Sequence, residues 1–320
     1  SILGGVEPCL GVQYLYRCKA GTLILEGFMT GLRSLEKTIL ITGTSSGFGR
    51  LVVRPLLGRG FKVICAMRGG QDRLAELFSE EIQKFWRKIL AVDLHMESPE
   101  TYEGAAQLIE EQCASRLDVL INNAGYGLFG AIEDQSIQQI QHQYNVNVFG
   151  PVFLTRRMMP YLRNARGRVI NLSSVAGLVT FPFYASYSSS KYALESFTEG
   201  LYYEAKSQGV QVALIEPGAF KTEFTKKSIT WGSNSDSPHS PYFERTSNFK
   251  KFLAGSSARL GNPNRVVRVM IRLCEKKRIP LRTIVGADAR FLYYMKWIFP
   301  DRVFVGFINF IWKILVFKER

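Results

Sequence analysis

The chain has 320 residues, 46% of them hydrophobic, and a formal net charge of +14. The hydrophobic fraction is ordinary for a globular protein with a sizeable core. Residues 245–320 carry 17 Lys and Arg against 4 Asp and Glu, so nearly all of the excess charge lies there. No zinc-finger spacing and no RNA-recognition signature accompanies this charge, so we predict no nucleic-acid partner. A membrane surface, a phosphorylated ligand and a merely solvated basic surface remain open.

The five cysteines are scattered without a CxxC pair, and the three histidines are far apart in the sequence. This pattern favours a reducing compartment and disfavours a structural metal site. We therefore predict a cytoplasmic protein without a bound metal.

Residues 1–36 form an N-terminal extension in which charged residues interrupt the apolar patches. No run there approaches the roughly 20 apolar residues of a membrane span. No basic region precedes an apolar core either, so we expect no secretory signal.

From residue 37 onwards, short apolar runs alternate with segments of helical length. Each run has four to six residues that favour strands and is bounded by Gly, Asn, Asp or Pro. Seven runs buried on both faces predict an α/β fold with a doubly wound, seven-stranded parallel sheet of the Rossmann type. We expect one domain over 37–286 with a tail over 287–320, and ligands beyond the carboxyl ends of the strands. The runs are KTILITG, FKVICAM, KILAVDL, LDVLINNAG, GRVINLSS, VQVALIEPG and LRTIVG, and the helical segments cover 71–87, 98–115, 134–162, 186–208 and 263–275.

The first run leads into a glycine-rich segment, TGTSSGFGR. Between a strand and a helix, such glycines let the backbone turn tightly and approach a pyrophosphate, and the helix N-terminus offers free N–H groups. The spacing differs from the Walker pattern, so a dinucleotide is favoured and an ATP-dependent enzyme is disfavoured. The predicted contacts are Gly43, Ser45, Ser46, Gly47, Phe48 and Gly49.

Residues at the ends of the next runs favour a particular dinucleotide. The second run ends in Met67 and Arg68 rather than in the Asp or Glu that binds the ribose hydroxyls of NAD. Because an arginine suits a 2′-phosphate, we predict NADP(H) as the preferred cofactor, with NAD(H) as the alternative. We expect Asp93 to bond the adenine edge, Leu94 to stack beside it, and Asn122 to line the adenosine side of the cleft. Ordinary turn chemistry is the alternative for Asp93 and Asn122.

Tyr187 and Lys191 stand four residues apart in YSSSK, on one face of a predicted helix. A phenol has a pKa near 10, and a nearby ammonium can lower it by roughly 1–3 units. Such a pair makes a poised proton donor and acceptor. The YxxxK pattern alone occurs by chance, so it needs companions before it indicates catalysis.

Those companions are present. Ser174 lies 13 residues before Tyr187 at a predicted strand end, and Asn147 lies in a long predicted helix. With TGxxxGxG, NNAG, YxxxK and PGAFKT in this order, segment 37–225 resembles the short-chain dehydrogenase/reductase family. The resemblance implies that Tyr187 is the general acid and base, that Ser174 polarises a substrate carbonyl, and that Asn147 holds a water in a proton relay. It also implies that Lys191 binds the nicotinamide ribose and lowers the pKa of Tyr187.

The same resemblance implies further cofactor contacts. Ala124 and Gly125 belong to the NNAG motif. Pro217 and Gly218 would turn the backbone around the nicotinamide, and Thr222 would contact its amide or a phosphate.

Aromatic residues predict a large apolar substrate. FPFYASY precedes the catalytic tyrosine, and the insert 223–260 adds Trp231, Tyr242, Phe243 and Phe249. We expect this insert to be a lid that roofs the cleft with these rings, while an ordinary aromatic core is the alternative. The long insert and tail resemble the 17β-hydroxysteroid and retinol dehydrogenase branch, which implies a steroid, retinoid or lipid alcohol or carbonyl.

The tail 287–320 mixes aromatic residues with Lys296, Arg302 and Lys313, and Pro300 is expected to divide it. This composition is typical of helices at a membrane interface. We predict peripheral contact with the cytosolic face of a membrane; packing onto the domain or a dimer partner is the alternative.

The family resemblance also implies a homodimer through 134–162 and 186–208. Two functions remain open. The first is an NADP(H)-dependent oxidoreductase acting on a large apolar alcohol or carbonyl. The second is a cofactor-binding but non-catalytic scaffold protein at a membrane surface. The complete Tyr, Lys, Ser and Asn set favours the enzyme.

Overall fold

The computed structural model describes residues 36–255 and 260–317, and this part of the chain contains nine strands. They are β1 (Thr38–Thr42), β2 (Lys62–Met67), β3 (Ile89–Asp93), β4 (Val119–Asn122), β5 (Gly127–Phe129), β6 (Arg168–Leu172), β7 (Gln211–Pro217), β8 (Ile229–Trp231) and β9 (Arg282–Val285). Seven of them form one parallel sheet in the order β3-β2-β1-β4-β6-β7-β9. The predicted seven-stranded parallel sheet is confirmed.

Strand β1 lies at the middle of this sheet and pairs with β2 on one side and with β4 on the other. All five of its residues are buried, because helices cover both faces of the sheet. That burial explains why the strand is a continuous apolar run rather than an alternating one. The sheet order reverses between β1 and β4, and the carboxyl ends of these two strands therefore border the ligand cleft of such a fold.

The helices are α1 (Gly47–Gly58), α2 (Gly70–Leu77), α3 (Ser79–Phe85), α4 (Tyr102–Gln112), α5 (Ile137–Tyr144), α6 (Gly150–Ala165), α7 (Ala185–Lys206), α8 (Phe224–Lys227), α9 (Phe243–Gly255), α10 (Asn264–Glu275), α11 (Ala287–Ile298) and α12 (Asp301–Trp312). One face of the sheet is covered by α1 and α10. The opposite face is covered by α4, α6 and α7. The result is the three-layer arrangement that the alternating pattern predicts.

The segment predicted as one helix over 134–162 is divided. Ser136 and Gln139 form a capping box at the start of α5, and a π-helical turn over Asn145–Phe149 separates α5 from α6. Such a turn inserts one residue into the helical repeat and often lies at a functional position. Here it carries Asn147.

The insert 223–260 contains α8, β8 and α9, and β8 pairs with β5 in a small parallel sheet. The tail consists of α11 and α12, divided at Pro300 as predicted, and ends in a π-helical turn over Lys313–Phe317. One face of α12 is buried through Phe304, Ile308 and Trp312, in a cluster that also contains Tyr187. The tail therefore packs onto the domain, which is the alternative left open above.

The remaining predictions about organisation have different outcomes. None of the helices within 36–255 and 260–317 is long and apolar enough to cross a bilayer. The N-terminal extension lies outside the described residues, apart from Glu36. The boundaries at 36 and 286 stay predictions.

Candidate active site

The glycine-rich loop between β1 and α1 borders a cavity of about 1700 Å³. Gly43 has a φ of +69°, and a Cβ there would lie 2.8 Å from the Cα of Ala124, so only glycine fits. The loop backbone is thereby left open at the N-terminus of α1, an arrangement that fits a pyrophosphate. The predicted contacts that line the cavity are Gly43, Ser45, Ser46, Gly47, Phe48, Ala124 and Gly125.

Gly49 was also predicted as a contact, but it does not line the cavity. A Cβ at Gly49 would lie 2.4 Å from Nδ2 of Asn123 and 2.4 Å from the carbonyl oxygen of Gly43. Its role is to let α1 approach the ends of the strands closely.

Arg68 and Leu94 line the same cavity, and so does Arg73 from α2; the cofactor contacts of Arg68 and Leu94 stay predictions. Asp93 is not one of the lining residues, and its predicted bond to the adenine edge stays a prediction. Its carboxylate accepts a hydrogen bond from the Gly69 N–H at 2.9 Å, and the same oxygen, Oδ1, lies 3.2 Å from Nε2 of His95. Asp93 thus stabilises the turn after β2, which agrees with the alternative of ordinary turn chemistry.

Asn122 is a second correction. Its side chain points away from the cleft and donates to Oγ1 of Thr155 at 3.0 Å and to Oδ1 of Asn171 at 2.8 Å. The neighbouring Asn123 lines the cavity instead and donates to the carbonyl oxygens of Thr42 and Gly43, at 2.9 and 3.1 Å. Side chains alternate between the faces of a strand, so neighbours cannot share one environment.

Tyr187, Ser174 and Lys191 meet in the wall of the cavity. Tyr187 lies in the first turns of α7, and Lys191 follows one turn later on the same face. Ser174 follows β6, and its hydroxyl accepts a hydrogen bond from the Ala176 N–H at 3.1 Å. The Lys191 ammonium donates to the carbonyl oxygen of Leu172 at 2.9 Å and lies 5.8 Å from the centre of the Tyr187 ring. The structure therefore brings together three of the four predicted catalytic residues.

The pKa of Tyr187 is raised to about 12 in this structure, chiefly because the phenol is buried, while a hydrogen bond with Ser174 acts in the opposite direction. The lowering of this pKa by Lys191, which the family resemblance implies, stays a prediction. Burial also lowers the pKa of Lys191, to about 8, and the negative charge of Glu195 opposes that shift. Burial therefore shifts both groups towards their neutral forms.

Asn147 lies behind this group rather than in the cavity wall. Its side chain donates to the Tyr126 carbonyl oxygen at 2.9 Å and accepts from the Tyr126 N–H at 3.1 Å. A Cβ on Gly125 would lie 3.1 Å from Oδ1 of Asn147 and 3.6 Å from Nζ of Lys191. Asn147 is thus held close to Lys191, and its predicted water relay stays a prediction.

Pro217, Gly218 and Thr222 line the cavity after β7, and their contacts with the nicotinamide stay predictions. Asp288, in the first turn of α11, accepts a hydrogen bond from the Ala219 N–H at 2.7 Å. A Cβ on Gly218 would lie 2.2 Å from Oδ2 of Asp288, so this close contact requires glycine. No sequence pattern indicates Asp288, because its partner is 69 residues away in the chain.

The apolar wall of the cavity differs from the predicted roof. Trp231, Tyr242, Phe243 and Phe249 do not line it, and Phe249 is fully buried in the aromatic cluster behind it. The rings that line this wall come from several elements, and they include Phe129, Phe181, Tyr184, Phe224, Phe252 and Trp312. The insert contributes Lys227–Thr230 and part of α9, so it borders the cavity as predicted, but through other residues.

A buried charged cluster lies one helical turn beyond Lys191 and was not predicted. Arg282 of β9 binds Glu195, binds Glu216 at 3.0 Å and binds the half-exposed Glu199 at 2.9 Å. Burial, and next the charge of Glu216, raise the pKa of Glu195 to about 8. Burial also raises the pKa of Glu216. Two buried carboxyl groups and one half-exposed carboxyl group thus share one guanidinium next to the site.

In the described part of the chain, no three His, Cys, Asp or Glu side chains are placed to hold a metal ion.

A protein-family model described as short chain dehydrogenase matches residues 37–232. The chain is 32% identical over 257 residues to a 3-ketodihydrosphingosine reductase of Bacteroides thetaiotaomicron, covering 80% of this chain and 90% of that relative. A crystal structure of a short-chain dehydrogenase from Streptomyces avermitilis matches with a TM-score of 0.72 and 28% identity, covering 88% of this chain and 97% of that one. A structure of ElxO with NADP bound matches with a TM-score of 0.62 and 25% identity, covering 78% and 96%.

Proposed function

This chain belongs to the short-chain dehydrogenase family of oxidoreductases, and we propose that it interconverts a ketone or aldehyde and an alcohol on a large apolar substrate with NADP(H). One observation carries the proposal: Tyr187, Ser174 and Lys191 lie where the glycine-rich end of the cavity meets its aromatic wall. A cofactor entering from one side and an apolar substrate from the other would meet at the Tyr187 hydroxyl.

The residues that would hold the cofactor lie along the carboxyl ends of the strands. The Gly43–Phe48 loop would bind the pyrophosphate, Arg68 the 2′-phosphate, and Lys191 the nicotinamide ribose. NADP as the cofactor is supported by Arg68 and Arg73, two cations at the end of the cavity near β2, and by the NADP bound to the similar ElxO. NADP(H), when bound, supplies or accepts the hydride.

The chain's own part in the reaction is to orient the carbonyl and to move a proton. Ser174 donates a hydrogen bond to the carbonyl oxygen, and Tyr187 donates its proton to the same oxygen as negative charge develops there. With a pKa of about 12, the phenol is protonated at neutral pH, which is the state that carbonyl reduction needs. The Lys191 ammonium one turn away favours the phenolate that remains.

The substrate classes proposed are steroids, retinoids and lipids. The aromatic wall formed by Phe129, Tyr184 and Trp312 supports an apolar substrate. The name of the Bacteroides relative, a 3-ketodihydrosphingosine reductase, supports including lipid ketones.

The test is NADPH oxidation by the full chain against panels of steroid ketones, retinal and lipid ketones. Tyr187→Phe is expected to lower kcat by about 10²–10⁴-fold, the usual contribution of a positioned proton donor, while NADPH affinity is retained. Tyr184→Phe is the matched control, because Tyr184 lines the same cavity and is half-buried next to Tyr187. Full activity of the Tyr187→Phe variant, or equal losses in both variants, would overturn the assignment.

We also propose peripheral membrane contact through the tail, at the cytosolic face of a membrane. Phe304 and Trp312 of α12 are buried, but Phe310 on the same helix is exposed, as are Trp297 and Ile298 at the end of α11. Exposed aromatic and aliphatic side chains next to a basic surface favour a lipid interface. Binding of the full chain to lipid vesicles tests this contact.

A homodimer is proposed through α6 and α7. Phe153 of α6 and Phe197 of α7 are large apolar side chains on the surface of these helices. A molar mass of one chain in light scattering would refute it.

A further inference from the structure

A second cleft, of about 610 Å³, is lined by five arginines and one acidic residue, Glu275. The arginines come from three elements: one follows α1, three lie on α10 and one lies on α11. They are Arg59, Arg265, Arg268, Arg272 and Arg290. We call this the arginine cleft.

The arginine cleft holds more positive charge than its own carboxylate balances. Arg59 is paired with Glu275 at 2.9 Å. Among the residues that the structure describes, none places a carboxylate within salt-bridge distance of Arg268, Arg272 or Arg290. Like charges three and four residues apart on one helix repel each other. An anionic ligand that lies between them would remove this repulsion.

The cleft is next to an exposed aromatic stripe. On α11, Arg290, Tyr294 and Trp297 follow each other at spacings of four and three, so they share one face of the helix. Tyr294 is 56% exposed and Trp297 is 79% exposed. Tyrosine and tryptophan next to arginine make up the composition of proteins that bind at the headgroup level of a bilayer.

We propose that the arginine cleft binds the phosphate headgroup of an anionic phospholipid while the stripe of Tyr294 and Trp297 enters the interface. This inference rests on the membrane contact proposed above and specifies the class of lipid that the chain binds. The planar guanidinium matches the oxygens of a phosphate in pairs, which suits arginine better than lysine for this role. Lys296, named above as a tail cation, does not contribute, because its ammonium is held by the Leu178 carbonyl oxygen and the Tyr192 hydroxyl.

The experiment is cosedimentation of the full chain with vesicles of phosphatidylcholine containing phosphatidylserine, at low salt. Each arginine near an acidic surface contributes roughly a fivefold factor, so Arg268→Gln/Arg272→Gln/Arg290→Gln is expected to lower the partition coefficient on the order of 100-fold. Arg265 is kept, because it also lines the main cavity. NADPH turnover of a soluble substrate should be unchanged in this variant.

The matched control removes the same charge outside the cleft. Lys276→Gln/Lys277→Gln/Arg278→Gln changes three exposed residues that directly follow α10 and do not line the cleft, and it is expected to lose less than about fivefold. Equal losses in both triple variants would mean that net charge alone acts, and the inference would fail while membrane contact stands.

Two further outcomes concern the ligand. Wild-type binding should fall to the level of the cleft variant on pure phosphatidylcholine. If millimolar inorganic phosphate displaces the chain from the vesicles, the cleft binds soluble phosphate. The proposal that its ligand is a phospholipid headgroup would then be wrong. If the wild type binds to none of the vesicles, the proposed membrane contact is wrong as well. The catalytic proposal is judged by turnover alone.

Discussion

Replacing Glu195 by glutamine tests whether the buried carboxyl cluster beside the active site controls how stability depends on pH. Glu195 is 4% exposed and shares Arg282 with the fully buried Glu216. Burial, together with the charge of Glu216, raises the pKa of Glu195 from its ordinary 4.5 to about 8, and the single guanidinium offsets only part of this shift. The glutamine variant keeps the size of the side chain and removes its titration.

The direction of the effect follows from linkage. A carboxyl group whose pKa is raised on folding stabilises the fold fully only below its unfolded pKa, and the contribution is lost as pH rises towards the folded value. For Glu195 this window runs from 4.5 to about 8. The loss amounts to about 3 kcal/mol between about pH 5.5 and about pH 8.5. Over this pH range, the free energy of unfolding of the wild type should therefore fall by about 3 kcal/mol more than that of Glu195→Gln.

Urea unfolding followed by circular dichroism at the two pH values measures this difference. Glu199→Gln is the control, because Glu199 binds the same arginine, yet it is half-exposed and Arg282 lowers its pKa. The control should keep the pH dependence of the wild type. If Glu195→Gln follows the wild-type curve, or if Glu199→Gln flattens it, the raised pKa of Glu195 has been misassigned.

Two more predictions concern the cofactor. Gly43→Ala forces a Cβ to within 2.8 Å of the Cα of Ala124 at a φ of +69°; the left-handed backbone alone should cost about 1–2 kcal/mol. We expect a lower melting temperature and weaker NADPH binding by fluorescence titration, and wild-type affinity would refute the pyrophosphate loop. Arg68→Ala should reduce affinity for NADPH but not for NADH by the same titration. An equal reduction in affinity for both cofactors would show that Arg68 does not bind the 2′-phosphate.

Much of the fold was predictable because its physical cause is local. A strand such as β1 has to be apolar along its whole length when helices cover both faces of the sheet, and a continuous apolar run is visible in the sequence. The π-helical turn at Asn145–Phe149 was not visible, since the residues around it continue a helical pattern. The packing of α12 depends on contacts with a distant aromatic cluster, so the sequence left it as one of two alternatives.

The site was predictable where backbone conformation or chain spacing defines a residue. Gly43 is required by its φ, and the Tyr187 and Lys191 pair by the helical repeat. Asn122 was misplaced because a strand end does not tell which side chain faces the cleft. The sequence also does not show how deeply Tyr187 is buried, because burial is a property of the whole fold, and this burial raises the pKa of Tyr187.

Helix α12 contributes both to the wall of the proposed substrate cavity and to the exposed surface proposed to contact a membrane. On α12, Phe304, Ile308 and Trp312 recur at intervals of four and pack into the cluster around Tyr187, while Phe310 on the same helix is exposed. Deleting the tail would uncover that cluster and open the cavity wall at Trp312, so activity and membrane binding would be lost together. Substitutions confined to the exposed face and to the arginine cleft leave this packing in place. They should therefore reduce membrane binding without reducing activity.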